Sequence, residues 1–363
     1  MRIFKYIVLI LFVCNIASIT LVNFGASAGS LVSDITFVLL LIYYFFSNKN
    51  RPAWPFIIFL VSYFIVSGLI GVPDEKYYFI DFFKYLVIIV CGGQLVYNTK
   101  INELLIIVAI GVSTILFNAL FFPTDYGRYS GFYLNPNEAG FAALIGFALC
   151  FGVSNQKWKL IGQFFFTFCG ILTFSRTFLL LWFILIIVSI FQNRKNLKIL
   201  GIGFGTLIFL FSVSELLKLN SDRFSMIDNL VNQGRLVESA NKNARTETWS
   251  LYYDLITDAP IFGHGYQSFM SDMIYEDGVH NNYLRVLGES GLIPFLMFIG
   301  IYLYILFKSF KVFYSEGYLF LLTLSLVALH TTTHNFDTLH HITLVSLWLY
   351  FKVVEMSNDN IYD

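Results

Sequence analysis

Residues 101–121 read INELLIIVAIGVSTILFNALF, and only a few polar residues interrupt this apolar run. A transmembrane α-helix needs about 20 mostly apolar residues to cross the hydrocarbon core of a bilayer. The run is continuous and lacks the period-two alternation of a membrane β-strand, so a helix is favoured over a barrel. This stretch therefore predicts an all-α integral membrane protein.

The same kind of run recurs along the 363-residue chain. We expect about twelve transmembrane helices, nine within residues 1–216 and three within 291–363, joined by one long extracytoplasmic loop at 217–290 that contains short helices. These three segments form one membrane domain overall, and a cytoplasmic tail ends it. The first run resembles a signal peptide that ends near Ala26-Ser27-Ala28, but an uncleaved first helix is preferred because many spans follow. The predicted spans lie near 3–23, 31–47, 53–71, 78–97, 101–121, 138–154, 158–174, 177–192, 197–216, 291–308, 317–334 and 340–356.

The composition supports the membrane assignment. The chain is 57% hydrophobic and 13% charged, whereas a soluble domain carries about 25% charged residues. Lysine plus arginine equals aspartate plus glutamate at 23 each, which indicates no nucleic-acid partner. The four cysteines lie in apolar runs without metal-ligand spacing, so we expect neither a disulfide framework nor a zinc site.

The distribution of positive charge predicts the orientation. In the short loops nearly all lysines and arginines fall on one side, and the other side holds only Lys76, Arg128 and Arg176. Cytoplasmic loops are enriched in lysine and arginine. We therefore expect both termini to be cytoplasmic and the protein to be multi-pass in the cell inner (cytoplasmic) membrane.

Two polar patches near predicted outer helix ends could bind an anion. The first contains Arg128 and Asn137; Asn137 is expected to cap the sixth span, and a structural turn at the Asn-Pro-Asn run is an equally good explanation. The second is the turn that carries Arg176 between two apolar helices. This arginine could reach a lipid phosphate, or its guanidinium could bind a substrate phosphate with two parallel hydrogen bonds.

The long loop holds two further patches. A helix is predicted from about Ala244 to Thr257, with Arg245 at its start as either a solvated side chain or a second phosphate ligand. A second helix is predicted to start near His280. The positive helix N-terminus disfavours the imidazolium, so His280 would be neutral and able to act as a base, or it would simply cap the helix. Glu289 follows in the same helix and is more naturally structural than a second base.

Other polar groups carry weaker expectations. His330 and His334 lie four residues apart, as zinc-binding histidines can, but they lack the glutamate of an HExxH motif, so no metal is expected. Asp81 and Lys84 lie three apart and are expected to pair with each other.

Four patches in this order resemble the O-antigen polymerase and O-antigen ligase superfamily of bacterial polysaccharide assembly. The resemblance covers roughly residues 120–305. The patches are Arg128…Asn135-Pro-Asn137…Gly140; Phe174-Ser-Arg-Thr177; Arg245…Trp249…Pro260-Ile-Phe-Gly263-His-Gly265; and His280-Asn-Asn-Tyr-Leu284…Glu289-Ser-Gly291.

The resemblance implies an inverting glycosyltransferase that needs no metal or cofactor and uses glycans linked to undecaprenyl pyrophosphate. Arg176 and Arg245 would bind the pyrophosphate, with Arg128 a weaker third ligand, and His280 would be the base on the acceptor hydroxyl. Asn137 and Glu289 complete the predicted substrate-binding set. The implied partners are the lipid-linked oligosaccharide, membrane lipid and a chain-length regulator protein.

Three functions remain open from the sequence. An aromatic-rich chain with a modest loop and no added domain favours a polymerase of O-antigen, capsule or exopolysaccharide repeat units. An O-antigen ligase would transfer the glycan to the lipid A core instead. A transporter of lipid-linked sugars is less favoured because the middle of each span is nearly free of charge.

Overall fold

The computed structural model describes residues 1–123, 127–212, 245–270, 273–275 and 278–359, and the regular structure within these ranges is helical, without a strand. Within these ranges, each of the twelve predicted spans overlaps one α-helix or two α-helices that follow one another. The α-helices are α1 (Arg2–Val13), α2 (Ile16–Phe24), α3 (Ala26–Phe46), α4 (Trp54–Ile70), α5 (Glu75–Val87), α6 (Gly93–Tyr97), α7 (Ile101–Phe121), α8 (Pro136–Cys150), α9 (Gln156–Leu172), α10 (Arg176–Gln192), α11 (Lys198–Ser212), α12 (Arg245–Asp258), α13 (Asn282–Ser290), α14 (Leu292–Lys311), α15 (Gly317–His330) and α16 (His340–Asp359).

The helices support a membrane protein but not a fixed number of spans. In the described ranges, four helical segments are long and apolar enough to cross a bilayer: Ala26–Phe46, Glu75–Tyr97, Ile101–Phe121 and Leu292–Lys311. The first predicted span would be a fifth, but it is broken into α1 and α2, which are bent by 57°. The break follows from Asn15, whose φ of 54° is left-handed and cannot continue an α-helix. The count of twelve spans stays a prediction.

The long loop predicted at 217–290 is described only in part. Residues 213–244, which include the end of the ninth predicted span and the first part of the loop, lie outside the described residues. The two predicted loop helices are confirmed as α12 and α13.

The chain forms two compact units, of which the first comprises Met1–Leu39, Asn98–Leu236 and Ser309–Ser325. Its centre is α8, which packs against α7, α9 and α10. Every residue of α8 from Ala139 to Cys150 is buried. A helix that is apolar on all sides, with small residues such as Gly140 and Gly146, fits the centre of a bundle because neighbouring helices can approach closely.

The second unit comprises Leu40–Tyr97, Val237–Lys308 and Leu326–Asp363. Here α13 packs against α4 and α12, while α16 packs against α6 and the π-helical turn Ile88–Gly92 that joins α5 to α6. Leu344 of α16 lies against Gly92 in this turn. The two units do not follow the divisions at 217 and 291, which describe the expected membrane topology and stay a prediction.

Candidate active site

In the first unit, Arg176 is displayed on a short turn between α9 and α10. Ser175 caps α10, because its Oγ accepts a hydrogen bond from the Phe178 N–H at 3.3 Å. Thr173 Oγ1 accepts from the Ser175 N–H at 3.2 Å and donates to the Gly170 carbonyl at 2.7 Å. Phe174 has a left-handed φ of 46°, which reverses the chain. Arg176 is therefore an exposed first residue of α10 on a turn held by its own hydroxyl groups. We call residues Thr173–Arg176 the arginine turn.

Arg128 and Asn137 brace the arginine turn. Arg128 donates from Nε to the Thr173 carbonyl at 3.1 Å and from Nη2 to Asn137 Oδ1 at 3.3 Å. Asn137 Oδ1 also accepts from Ser175 Oγ at 3.1 Å. The structure thus places three of the predicted site residues in one cluster, with Arg128 half-buried behind the exposed Arg176.

The N-cap of α8 differs from the prediction. Asn135, and not Asn137, is the N-cap, and its Oδ1 accepts from the Asn137 N–H at 2.8 Å. The reason is Pro136, which lacks an N–H and so fits the first helical position, one residue after the cap. This shift leaves the Asn137 side chain available to contact Arg128 and Ser175.

Gly140 allows the arginine turn to approach α8. A Cβ added at Gly140 would lie 3.1 Å from Phe178 Cβ, 3.2 Å from Ser175 Cβ and 3.2 Å from Thr173 Oγ1. A larger residue would push the turn away from α8 and so weaken the hydrogen bonds of Asn137. The first two sequence patches are therefore parts of one packed cluster.

In the second unit, His280 lies immediately before the N-cap of α13. Asn281 is that cap, and its Oδ1 accepts from the N–H groups of Tyr283 at 3.0 Å and Leu284 at 3.2 Å. His280 has a left-handed φ of 45° and is exposed. Its ring packs on the ring of His334, with the centroids 4.3 Å apart at 47°. The imidazole is thus presented at the surface with one face covered.

The His334 ring, on which the His280 ring packs, is uncharged. Its Nδ1 is buried without a hydrogen-bond partner in the described part of the chain. Burial lowers the pKa of His334 to about 3, and the interactions of His334 with His280 and with the Arg285 cation act in the same direction. His334 is therefore uncharged at neutral pH and adds no positive charge of its own beneath His280.

A buried arginine organises the region below the histidines. Arg285 donates from Nη1 and Nη2 to the two carboxylate oxygens of Asp337, at 2.7 and 3.0 Å, and from Nη1 to the His334 carbonyl at 2.6 Å. Burial alone would lower the pKa of the Arg285 guanidinium, but Asp337 and Glu289 outweigh it and raise that pKa well above its usual range. Arg285 therefore stays charged and fixes the backbone that carries His334.

Glu289 belongs to this buried network. It is fully buried, and its carboxylate accepts from Arg285 Nε at 3.1 Å, from the Phe269 N–H at 3.2 Å and from the Tyr63 hydroxyl. The sequence placed Glu289 among the substrate-binding residues. In the structure its contacts are to protein groups at the far end of α13 from His280, so it positions Arg285.

The third and fourth sequence patches meet through their backbones. The His264 N–H donates to the Gly288 carbonyl at 2.7 Å, and the Gly265 N–H donates to the Glu289 carbonyl at 3.0 Å. Gly263 and Gly265 both have positive φ, at 73° and 96°. A Cβ added at Gly263 would lie 2.5 Å from the Glu289 carbonyl carbon, so glycine is needed at this position for the close approach to the end of α13.

A second set of buried contacts connects α13 to the last residue of α15 and to the segment after it. Asn282 Nδ2 donates to His330 Nδ1 at 2.8 Å and to Thr333 Oγ1 at 2.9 Å, and its Oδ1 accepts from the Phe336 N–H at 3.2 Å. His330 is thus engaged with Asn282. Within the described ranges, no three histidine, cysteine or acidic side chains are grouped as metal ligands.

The remaining predicted residues are placed as follows. Arg245 is the first residue of α12, and the structure describes only the backbone at this position. Helix α12 packs on the α13 region through a small core of Tyr252, Phe269 and Val279. Asp81, expected to pair with Lys84, accepts a hydrogen bond from the Tyr266 hydroxyl at 2.7 Å.

The structure thus brings Arg128, Asn137 and Arg176 together in the first unit, and His280 and Glu289 into one network in the second. Sequence reasoning missed Arg285 and Asp337 as the centre of that network. The spacing of Arg285 and Glu289, four residues apart in a predicted helix, was a signal for one of the contacts.

The apolar helices are typical of a membrane protein. Two exposed side chains could carry chemistry: Arg176 on the arginine turn is suited to anion binding, and His280 is suited to proton transfer. Residues 161–299 match the family model described as O-antigen ligase. This match confirms the resemblance to the O-antigen polymerase and ligase superfamily, whose members are glycosyltransferase-like enzymes. Comparison with curated proteins finds no significant match.

Proposed function

We propose that this protein is a polysaccharide polymerase that joins oligosaccharide repeat units linked to undecaprenyl pyrophosphate. The reaction takes place at the outer face of the cytoplasmic membrane, and both termini are in the cytoplasm. The observation that carries the proposal is that the O-antigen ligase match, residues 161–299, contains Arg176, Arg245 and His280 together. Two of these have exposed side chains on rigidly supported backbone.

The proposed reaction is an inverting glycosyl transfer. His280 accepts the proton of the acceptor hydroxyl as its oxygen attacks the anomeric carbon of the donor sugar. The bond between that carbon and the pyrophosphate oxygen breaks, and the electron pair leaves with the lipid pyrophosphate. Guanidinium groups at Arg176 and Arg245 stabilise the negative charge that develops on this leaving group.

The local geometry supports these roles. A base must be accessible and uncharged at neutral pH, and the exposed His280 ring rests on the neutral ring of His334. A phosphate ligand must be held in place before substrate arrives, and Arg128 and Asn137 hold the turn that carries Arg176. Glu289 and Arg285 contribute indirectly by fixing the backbone beneath His280.

A ligase is the second candidate, because the matched family model carries the description O-antigen ligase. The chemistry on the donor is the same in both cases. The difference is the acceptor, which is another lipid-linked repeat unit for a polymerase and the lipid A core oligosaccharide for a ligase. A chain-length regulator is a proposed partner only in the first case.

The test is a reconstitution of the purified full-length protein with lipid-linked repeat units, with or without lipid A core acceptor. A polymerase extends the glycan with repeat units alone. A product that appears only when the lipid A core is added would assign the ligase. Absence of both products from well-folded protein supplied with its cognate repeat unit would overturn the enzyme proposal.

Variants test the assigned roles in the same assay. We expect His280→Ala to lose at least about 100-fold in rate, the typical contribution of general base catalysis. Arg176→Lys should also fail, since lysine cannot make two parallel hydrogen bonds to phosphate. The matched control is Arg194→Lys, which changes another exposed arginine just beyond the other end of α10. Wild-type rates in the His280 variant would reject this residue as the base.

A further inference from the structure

A cavity in the second unit lies beside the start of α4. Its volume is about 230 Å³, and its apolar lining is formed by side chains such as Ile57, Ile89 and Phe351. Part of the wall is the π-helical turn Ile88–Gly92. Such turns are rare and occur frequently at functional sites, because the wider turn interrupts regular side-chain packing.

The polar side of this cavity, which we call its mouth, includes Asn50, Arg51 and Gln94 and is held in a fixed shape. Gln94 is buried, and its Oε1 accepts from the Asn50 N–H at 2.8 Å while its Nε2 donates to the Asn48 carbonyl. These two bonds fasten the loop between α3 and α4 to α6. The loop carries Arg51, which lines the cavity and is exposed. In the described part of the chain, the Arg51 guanidinium has no carboxylate partner.

The charge at the mouth is positive. Helix α4 begins at Trp54, three residues after Arg51, and a helix N-terminus carries a partial positive charge. A second cation, Lys49, lies on the same loop with its ammonium 4.0 Å above the ring of Tyr44, which also lines the cavity. None of the residues that line the cavity is acidic. The mouth is therefore suited to an anion.

The surroundings distinguish a lipid from a free anion. Trp54 is 59% exposed at the rim, and Tyr97 is a second partly exposed aromatic residue there. Tryptophan and tyrosine are enriched at the headgroup level of membranes. A free phosphate would gain nothing from the apolar lining, whereas the first part of an acyl chain would bury surface against it. The volume suits a headgroup, since whole-ligand pockets are about 300–1,000 Å³.

From these observations we infer that this cavity binds the phosphate headgroup of an anionic phospholipid, with Arg51 as its principal ligand. The acyl chains leave the cavity toward the bilayer along the apolar wall. The site is separate from the Arg285 network, because the glycine-rich segment of that network contacts the opposite end of α4 at Gly71. A 17-residue helix is about 25 Å long.

Native mass spectrometry of the purified full-length protein in a non-ionic detergent tests this inference. The protein is titrated separately with phosphatidylglycerol, phosphatidylcholine and inorganic phosphate. We expect one phosphatidylglycerol to bind well before the neutral lipid does. The variant Arg51→Gln should weaken this binding about 10-fold or more, as expected for loss of a charge-assisted contact worth about 1.4 kcal/mol, and Arg51→Lys should restore part of it.

The control is Arg194→Gln, which removes the same charge from an exposed position of the first unit and should bind phosphatidylglycerol as the wild type does. If Arg51→Gln does not fold, Gly93→Leu becomes the deciding variant for the lipid site, because Gly93 lines the cavity and a leucine there would fill it. Unchanged phosphatidylglycerol binding in the deciding variant would overturn the site. Equal binding of phosphatidylcholine, or of inorganic phosphate, would overturn the assignment to an anionic lipid.

Discussion

Arg285 and Asp337 form a buried, two-pronged ion pair, with Nη1–Oδ1 at 2.7 Å and Nη2–Oδ2 at 3.0 Å. The pair joins α13 to the segment between α15 and α16, 52 residues further along the chain. Because Arg285 also binds the His334 carbonyl, this pair sets the position of the ring on which His280 rests. The predicted base thus depends on an interaction that does not include it.

Arg285→Met is expected to destabilise the protein by about 3–5 kcal/mol, because it leaves Asp337 and Glu289 as buried charges without their cation. Thermal unfolding of the purified protein measures the loss. The double variant Arg285→Met with Asp337→Leu should recover part of it, since no unpaired charge remains at position 337. The control is Lys352→Ala, which breaks an exposed pair with Glu355 and should change stability by less than about 1 kcal/mol. An Arg285→Met protein as stable as the wild type would contradict this account.

Gly265→Ala is expected to cost at least about 2 kcal/mol. Gly265 has a φ of 96°, and a Cβ there would lie 2.6 Å from the Gly71 carbonyl oxygen. The left-handed conformation costs a residue with a Cβ about 1–2 kcal/mol, and the contact with fixed backbone adds to it. The matched control in the same unit is Gly300→Ala, where the added Cβ meets no atom within 4 Å. That change should be neutral or stabilising, since alanine favours a helix over glycine. Similar unfolding temperatures for the two variants would show that Gly265 is not under this constraint.

Acidic pH should lower the stability of the folded protein, because His334, which packs on His280, becomes protonated on unfolding. The ordinary pKa of histidine is 6.5, and burial lowers that of His334 to about 3 in the folded protein. The folded state therefore resists protonation of His334. The part of the stability that depends on a neutral His334 is complete above pH 6.5 and is lost as the pH falls from 6.5 toward 3. At pH 5 the loss from His334 amounts to about 2 kcal/mol.

The variant His334→Phe isolates this contribution, since it keeps an aromatic ring under His280 but cannot be protonated. Unfolding temperatures at pH 7.5 and pH 5 are compared with those of the wild type. We expect the variant to lose less stability than the wild type between the two values. An equal loss in both proteins would mean that His334 is protonated in the folded state as readily as in the unfolded state.

The helices were predictable from the sequence because membrane segments obey a local rule. A backbone in lipid must satisfy its hydrogen bonds within its own segment, so a long apolar run becomes a helix whatever its neighbours are. The run at 101–121 is helix α7 with the same bounds. The break at Asn15 was not predictable, since the residues around it are as apolar as those in an unbroken span.

The candidate site was predictable only in part, for a related reason. Arginine, asparagine and histidine near the predicted outer helix ends indicated anion binding and proton transfer, because such residues are costly in lipid without a role. Their partners were not visible, because Arg128 with Thr173 and Asn282 with His330 are pairs separated by 45 and 48 residues.

By itself, the sequence indicated an all-helical membrane protein that resembles the O-antigen polymerase and ligase superfamily, and it predicted which charged residues lie on one face. Those properties depend on residue type and on spacing within one or two helical turns. Tertiary structure alone decided that Arg128 and Asn137 support Arg176, and that Arg285 and Asp337 support His280. Hydrogen bonds between distant segments form only when packing brings the segments together, and packing depends on the whole chain.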